Sequence, residues 1–403
     1  MRVEQRNLIP VLLGADLNAY SVALAFCEAY GVRSHVFARY ECGETQSSKF
    51  ITTHICRGLD SPSVAIPILL KFADENNGAE LFLIPCADWY VEMLEWARVQ
   101  LGGIYNIFIP EKKLFSELSD KSNFYALMEK SDIPYPSCIS VSRGERVSLK
   151  KFEKIGFPCV VKPSDSSEYW RNKFQGMRKV YFAADYGEAI EIIKKIFDSD
   201  YGKKVIIQKK IENDNGNRVL TTVSDGSGRV VRAVYGEVIL EERGITSLGN
   251  HSAIITRPLS DICFQLLEFL TKQKYSGIAN FDLIASGMDE YVLELNPRQG
   301  RSCDYLRASG VNIAELIVKL SKGENISPDF SYNQIYWHHP PHKTVLNYAS
   351  LKNAETAKRL FEAGREFCPY TNEFEGFARK AYTFIHNLRL KNKFKNNRTD
   401  AGK

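Results

Sequence analysis

The apolar positions of the first hundred residues alternate between short continuous runs and stripes of helical period. Leu8–Leu13 is a continuous apolar run closed by Gly14, and a run of that length reads as a buried strand. Residues 20–30 follow as a helix, residues 35–38 and 81–85 as further strands, and residues 64–73 as a helix between them. Strands alternating with helices predict a parallel sheet covered by helices. Gly14-Ala15-Asp16 and Cys86-Ala87-Asp88 then sit at carboxyl ends of strands, where open α/β sheets bind ligands, although both Asp residues also suit helix caps. No G-x-G-x-x-G follows the first strand, which argues against a dinucleotide.

A second unit begins near Leu114. Asp120 is placed to cap a helix running through Glu129, with residues 133–136 stopping it. Residues 157–163 predict a strand ending in Lys162-Pro163, with 180–182 as its partner and a long polar loop, 164–178, between them. Ala189, Ile192, Ile193, Ile196 and Phe197 form one helical stripe. Residues 205–207 are a strand entering Gln208-Lys209-Lys210-Ile211. Residues 217–223 and 229–238 make a hairpin around Asp225-Gly226-Ser227-Gly228, and 262–273 and 312–320 are helices. Beyond Pro328 the pattern weakens, with helices at 353–367 and 377–394 and a disordered end at 396–403. The chain has no internal repeats.

The stretch 278–302 carries the densest chemistry. It reads as two strands folded at Gly287-Met288-Asp289, which sets Asp282 opposite Glu294, each six residues from Met288. Alternation puts Asn296 on the same face and sends Phe281, Leu283, Leu293 and Leu295 to the core. Two carboxylates across a ladder repel. A hard divalent cation removes that cost, and Asp, Glu and Asn oxygens suit Mg2+. Arg298 and Arg301 follow, placed for an anion, although Arg301 could also pair with Glu294 or Asp304.

Other groups point the same way. Lys162 ends an otherwise apolar strand, a costly position for an unpaired charge, and Lys121 opens the preceding helix. Ser164, Ser166, Ser167, Lys173, Gly176 and Arg178 make a loop suited to closing over phosphates. Gln208, Lys209, Lys210 and Ile211 offer a backbone edge and an apolar wall to an adenine, and Glu212 or Asp214 could accept from a ribose hydroxyl.

Composition narrows the class. The 403 residues are 44% apolar and 12% aromatic, enough for two or three cores. Net charge is +5, but residues 376–403 hold eight Lys or Arg against one Asp, so the remaining chain carries about −2 and does not read as a nucleic-acid binder. Nine scattered cysteines without a C-x-x-C pair fit free thiols in a reducing cytoplasm. The apolar run at 9–13 is interrupted by Asp16 and Asn18, so no secretory leader is expected, and no stretch approaches a membrane span. His338-His339-Pro340-Pro341-His342 reads as a surface loop rather than a metal site, and 377–394 as a solvated basic helix with an acidic membrane surface as the sharper alternative.

The order Lys121, Val161-Lys162-Pro163, Gln208-Lys209-Lys210-Ile211, Asn280-Phe281-Asp282, Glu294-Leu295-Asn296-Pro297-Arg298 resembles the ATP-grasp superfamily of carboxylate–amine ligases. Gly14-Ala15-Asp16, Ser167-Glu168-Tyr169, Lys173-Phe174, Leu248-Gly249-Asn250 and Arg298-Gln299-Gly300-Arg301-Ser302 narrow the resemblance to the bacterial D-aspartate ligase family. It departs where Asn213 replaces the glycine after the hinge and where His251 follows Asn250. The resemblance implies an α/β and α+β chain. A Rossmann-like domain is expected at 1–113, a two-subdomain ATP-grasp fold at 114–325, and a helical extension with a basic tail at 326–403. It implies ATP bound by Lys121, Lys162, Ser166, Lys173, the hinge and Asp214. Mg2+, as two ions, would be held by Asp282, Glu294 and Asn296, and the chemistry carried by Arg298, Arg301 and Lys162. The implied reaction joins the β-carboxylate of D-aspartate to a lysine side-chain amine of a peptidoglycan precursor in the cytoplasm, through an acyl phosphate. The alternatives are a related ligase using another amino acid or amine, or a non-catalytic nucleotide-binding protein. No biotin-attachment segment supports a carboxylating enzyme.

Overall fold

The computed structural model describes residues 7–242, 247 and 249–396. Leu248, named above for a substrate motif, and residues 397–403 of the disordered end expected at 396–403 lie outside them; Asn396 instead closes a helix. Among the described residues the strands form three sheets. The first is wholly parallel and has the order β3-β2-β1-β4-β5, from Leu8–Leu13 (β1), Ser34–Ala38 (β2), Ile51–Ile55 (β3), Glu80–Pro85 (β4) and Tyr105–Ile107 (β5). Strands β3 and β5 escaped the sequence pattern because one is polar and the other spans three residues. Asp16 caps the helix Leu17–Tyr30 by accepting from the N–H groups of Asn18 and Ala19, and Gly31, at φ 66°, ends it in the left-handed region.

The second sheet is antiparallel, in the order β6-β9-β7-β8, from Cys138–Val141 (β6), Cys159–Pro163 (β7), Tyr181–Ala183 (β8) and Val205–Lys209 (β9). Its own small core packs it against the helix Tyr186–Phe197, whose Ala189, Ile193, Ile196 and Phe197 are buried. The segment between β7 and β8 is not all loop: Asp165 caps a short helix, Ser166–Arg171.

The third sheet has the order β14-β13-β10-β11-β12-β15-β16. Its strands are Asn217–Ser224 (β10), Val230–Glu241 (β11), His251–Arg257 (β12), Gly277–Ser286 (β13), Asp289–Asn296 (β14), Tyr336–His338 (β15) and Glu366–Phe367 (β16). One core joins this sheet to the first. Leu12, Phe26 and Phe82 share it with Val219, Ile254, Ile317 and Trp337.

The β13–β14 ribbon reaches the expected pairing by a different route. Ser286 pairs with Asp289, so the turn holds two residues and an unbroken ladder would set Asp282 opposite Leu293. A bulge at Leu293 inserts one residue and brings Glu294 opposite Asp282. Val292, not Leu293, therefore fills the core beside Phe281, Leu283 and Leu295.

The C-terminal part corrects two further expectations. His338 and His339 are not on a surface loop; they are 2% and 1% exposed, with His338 in β15. The helix Phe377–Asn396 is solvated on one face only. Arg379 is 1% exposed and donates to the Gly43 and Gln46 carbonyls at 2.7 and 3.0 Å, while Leu390 and Phe394 are buried. Residues 379, 386, 390 and 393 share that inward face at helical spacing.

Candidate active site

A cavity of about 690 Å³ lies between the second and third sheets. Lys162, Phe182 and Gln208 line it from one side, and Arg218, Asp282, Ile284, Leu293 and Glu294 from the other. Its volume and mixed lining suit a nucleotide-sized ligand.

At one end, Asp282 pairs with Glu294 and Asn280 with Asn296 across the ribbon, so four polar side chains share a face. Asn280 Nδ2 donates to Asp282 Oδ1 at 3.2 Å and Asn296 Nδ2 to Asp282 Oδ2 at 3.4 Å. Thr221 in turn donates to Asn280 Oδ1 at 2.9 Å, and Tyr305 to Thr221, so the face is held from behind. Burial and the neighbouring charge of Glu294 push the Asp282 carboxyl up. Lys121, Lys179 and Lys162 hold Glu294 ionised, well below the usual carboxylate range, against its burial. Like-charge repulsion in the pair is thus relieved by the raised Asp282 carboxyl and by the lysines around Glu294, a role that a divalent cation would take over. Among the described residues no three His, Cys, Asp or Glu side chains converge as a closed metal site. Two carboxylates and an amide oxygen are nevertheless a donor set that fits Mg2+, which keeps water and phosphate oxygens in its other positions.

Three lysines face this pair. Lys121 Nζ lies 2.8 Å from Glu294 Oε2 and donates to Ser166 Oγ at 3.3 Å. Lys162 sits inside β7, 8% exposed, and donates to the Tyr125 hydroxyl at 2.9 Å. Burial and the charge of Lys121 lower Lys162 to about 8. Lys179 lines the cavity, whereas Lys173, expected there, is exposed and outside its lining. The polar loop predicted at 164–178 ends one residue short of Lys179, and Lys173 lies two residues beyond the Ser166–Arg171 helix.

Gln208, Lys209, Lys210, Ile211, Glu212 and Asp214 all line the cavity. Asp214 is already engaged: its carboxylate accepts from the Gly287 N–H at 3.1 Å, tying the hinge to the ribbon turn. Glu212 makes no hydrogen bond or ion pair among the described residues. His251 Nε2 lies 3.7 Å from Asp282 Oδ1, and burial lowers it to about 4, leaving a neutral ring beside the carboxylates.

Both arginines are paired, and not as expected. Arg298 grips Asp88 with two contacts, Nε–Oδ1 at 2.7 Å and Nη2–Oδ2 at 2.9 Å. Arg301 contacts neither Glu294 nor Asp304; it bonds Glu242 and faces Glu44 at 3.7 Å and Asp16 at 3.8 Å. Asp304 is taken by Arg307 and by the Trp337 indole N–H. The strand-end loops of the first sheet, Gly14-Ala15-Asp16 and Cys86-Ala87-Asp88, therefore meet the end of the ribbon. Asn18 fixes the junction by donating to the Cys86 and Gln299 carbonyls, both at 3.1 Å.

A parallel sheet behind two α+β lobes, with a carboxylate pair and lysines in the cleft between the lobes, defines an ATP-grasp ligase. The chain is 30% identical over 378 residues to D-aspartate ligase of Enterococcus faecium (strain Aus0004), covering 90% of each chain, and it belongs to the D-aspartate ligase family. No protein-family model matches it. Among solved structures, the biotin carboxylase domain of Hydrogenobacter thermophilus 2-oxoglutarate carboxylase, in complex with MgADP, ADP and bicarbonate, aligns with a TM-score of 0.63 and 16% identity, covering 81% of this chain and 73% of that one. N5-carboxyaminoimidazole ribonucleotide synthetase from Thermus thermophilus aligns with a TM-score of 0.58 and 16% identity, covering 84% and 86%. These two likenesses establish the fold.

Lys162 yields a pH-dependent prediction. Its folded pKa is lowered, so ligand-free protein sheds this proton as pH rises through about 8, while a bound phosphate favours the charged form. ATP affinity is expected to fall as pH rises through that value. Lys162→Met should weaken binding roughly tenfold or more and flatten the pH profile. Titration calorimetry from neutral to moderately alkaline pH checks this; a wild-type profile as flat as the variant's contradicts it.

Proposed function

We propose that this chain is a cytoplasmic ATP- and Mg2+-dependent ligase that joins the β-carboxylate of D-aspartate to a lysine side-chain amine of a peptidoglycan precursor. The observation that carries the catalytic part is the Asp282–Glu294 pair, set in register at the end of the cleft and faced by Lys121, Lys162 and Lys179. The acid is suggested by the relative named D-aspartate ligase, and the acceptor by the family resemblance of the sequence motifs. No helix of the described residues is long and apolar enough to cross a membrane.

In this reading Gln208, Lys209, Lys210 and Ile211 hold the adenine, and the ribose falls to the unpaired Glu212 rather than to Asp214. Lys121 and Lys162 neutralise phosphate oxygens, and Ser166 adds a hydroxyl beside them. Asp282, Glu294 and Asn296 are the side chains that would hold Mg2+, whose charge, when bound, offsets that on the phosphates. An acid carboxylate oxygen attacks the γ-phosphorus, the bond to the bridging oxygen breaks, and ADP leaves. The amine then adds to the acyl carbon, phosphate departs, and the nitrogen loses its proton to give an amide. Arg298, held by Asp88, stabilises the transferring phosphoryl group, and Arg301 orients the acid. Positioning and charge do the catalysis, with no covalent side-chain nucleophile.

The outward face of the C-terminal helix adds a partner surface to this reading. Phe377, Phe384, Ile385 and Leu388 are 87%, 66%, 49% and 47% exposed there, interleaved with Lys380, Lys391 and Lys395. Exposed apolar groups among cations fit the headgroup region of an anionic bilayer.

Two outcomes are expected. ADP release with MgATP, screened over D- and L-amino acids with a lysine-containing precursor, should peak with D-aspartate and fall at least about a hundredfold in Glu294→Gln. Release driven equally by other acids would reject the substrate, and an active Glu294→Gln the site. Pelleting with phosphatidylglycerol vesicles should retain the wild type at low salt and lose Phe384→Asp/Leu388→Asp; equal pelleting of both rejects the membrane surface.

A further inference from the structure

The inward face of the same helix ends beside Arg301. Lys393 Nζ lies 2.8 Å from Glu242 Oε2, while Arg301 bonds the other oxygen of that carboxylate, Oε1. Glu242 is 5% exposed, so its charge is not dissipated by solvent. His339, whose two ring nitrogens are buried without hydrogen bonds, sits 3.7 Å from the same Oε1 and stays neutral because burial and surrounding cations lower it. Among the described residues Lys393 is thus the second cation on Glu242 and the contribution of the C-terminal helix to this cluster.

The charges explain why a second cation matters. Arg301 faces three carboxylates, those of Asp16, Glu44 and Glu242. Such an arginine, left alone with them, has no surplus charge for a substrate carboxylate. Lys393 takes up the charge of Glu242 and so lowers the negative balance around Arg301 from three carboxylates to those of Asp16 and Glu44. Asp16 and Glu44 differ from Glu242 in standing 3.8 and 3.7 Å from the guanidinium, beyond hydrogen-bond distance. Their other oxygens are used locally: Asp16 Oδ1 caps the helix Leu17–Tyr30, and Glu44 Oε2 accepts from the Cys42 thiol at 2.8 Å. The oxygens facing Arg301 are left for a cation, and the ammonium group of an amino acid meets that need.

We propose that Lys393 is a positioning residue for the acid substrate. By neutralising Glu242 it leaves Arg301 able to hold a carboxylate, with Asp16 and Glu44 placed for the adjoining ammonium. The site then selects a free amino acid over the same acid without its amine. This inference rests on the reading of the chain as an amino-acid ligase.

Steady-state kinetics with D-aspartate test it. Lys393→Met should raise KM for D-aspartate roughly tenfold, about one charge-assisted contact, with KM for ATP and kcat changed less than about twofold. Lys393→Arg should stay near wild type. Adding Glu242→Gln to Lys393→Met should restore KM, because the charge that needed neutralising is gone, whereas a helix merely unpinned would not be rescued. Succinate, which lacks the amine, should support no more ADP release than the acid-free reaction. An unchanged KM in Lys393→Met, or a double variant as impaired as the single, overturns the proposal. If Lys393→Met does not fold, Glu242→Gln alone decides: KM at or below the wild-type value supports it, and a rise opposes it. A wild type silent with every amino acid overturns the ligase reading and this inference together; an active wild type with Lys393→Met unchanged overturns this inference alone.

Discussion

Like charges set face to face across an antiparallel ladder push apart, and Asp282 and Glu294 are held in that position by everything around them. The bulge at Leu293 supplies the register. Asn280 and Asn296 fix Asp282 with hydrogen bonds, and Lys121 stands 2.8 Å from Glu294. Hydrophobic burial on the opposite face, by Phe281, Leu283, Val292 and Leu295, keeps the ribbon from turning over. A buried carboxyl pair is costly, and such a pair is retained where a site needs it.

The continuous core between the first and third sheets has a consequence for the chemistry. Leu12, Phe26 and Phe82 pack with Val219, Ile254 and Trp337, so the strand-end loops and the ribbon end cannot drift independently. Asp88 can therefore hold Arg298, and Asp16 and Glu44 can stand near Arg301, although these partners are far apart along the chain. The second sheet has a core of its own and supplies the opposing wall of the cleft. Two walls with separate cores suit a site that opens for a nucleotide and closes against water.

Local chemistry was readable from the sequence, and distant pairing was not. Alternation and the ribbon turn put Asp282 opposite Glu294, although the bulge, invisible in the pattern, makes that pairing with a different turn. Asp120 and Asp16 signalled their caps because capping is a contact within three residues. Lys162 stood out as a charge in an apolar strand. The partners of Arg298 and Arg301 come from loops far away in sequence, and no local spacing encodes them. Polar composition misled at His338-His339, where strand pairing with β12 and the acceptor Glu366 allow the His338 imidazole to be buried. The tail was misjudged because its cations are divided: Arg379 and Lys393 face inward to carbonyls and Glu242, while Lys380, Lys391 and Lys395 face water.

A cation seated between the two carboxylates of the ribbon is what the proposed chemistry turns on. Crystals soaked with ADP and Mn2+ would locate it through anomalous scattering. A peak within coordination distance of the carboxylate oxygens of Asp282 and Glu294, touching the nucleotide's phosphates, is the predicted result. Nucleotide in the cleft with no peak there, or with the metal bound only at its phosphates and away from both side chains, would contradict it.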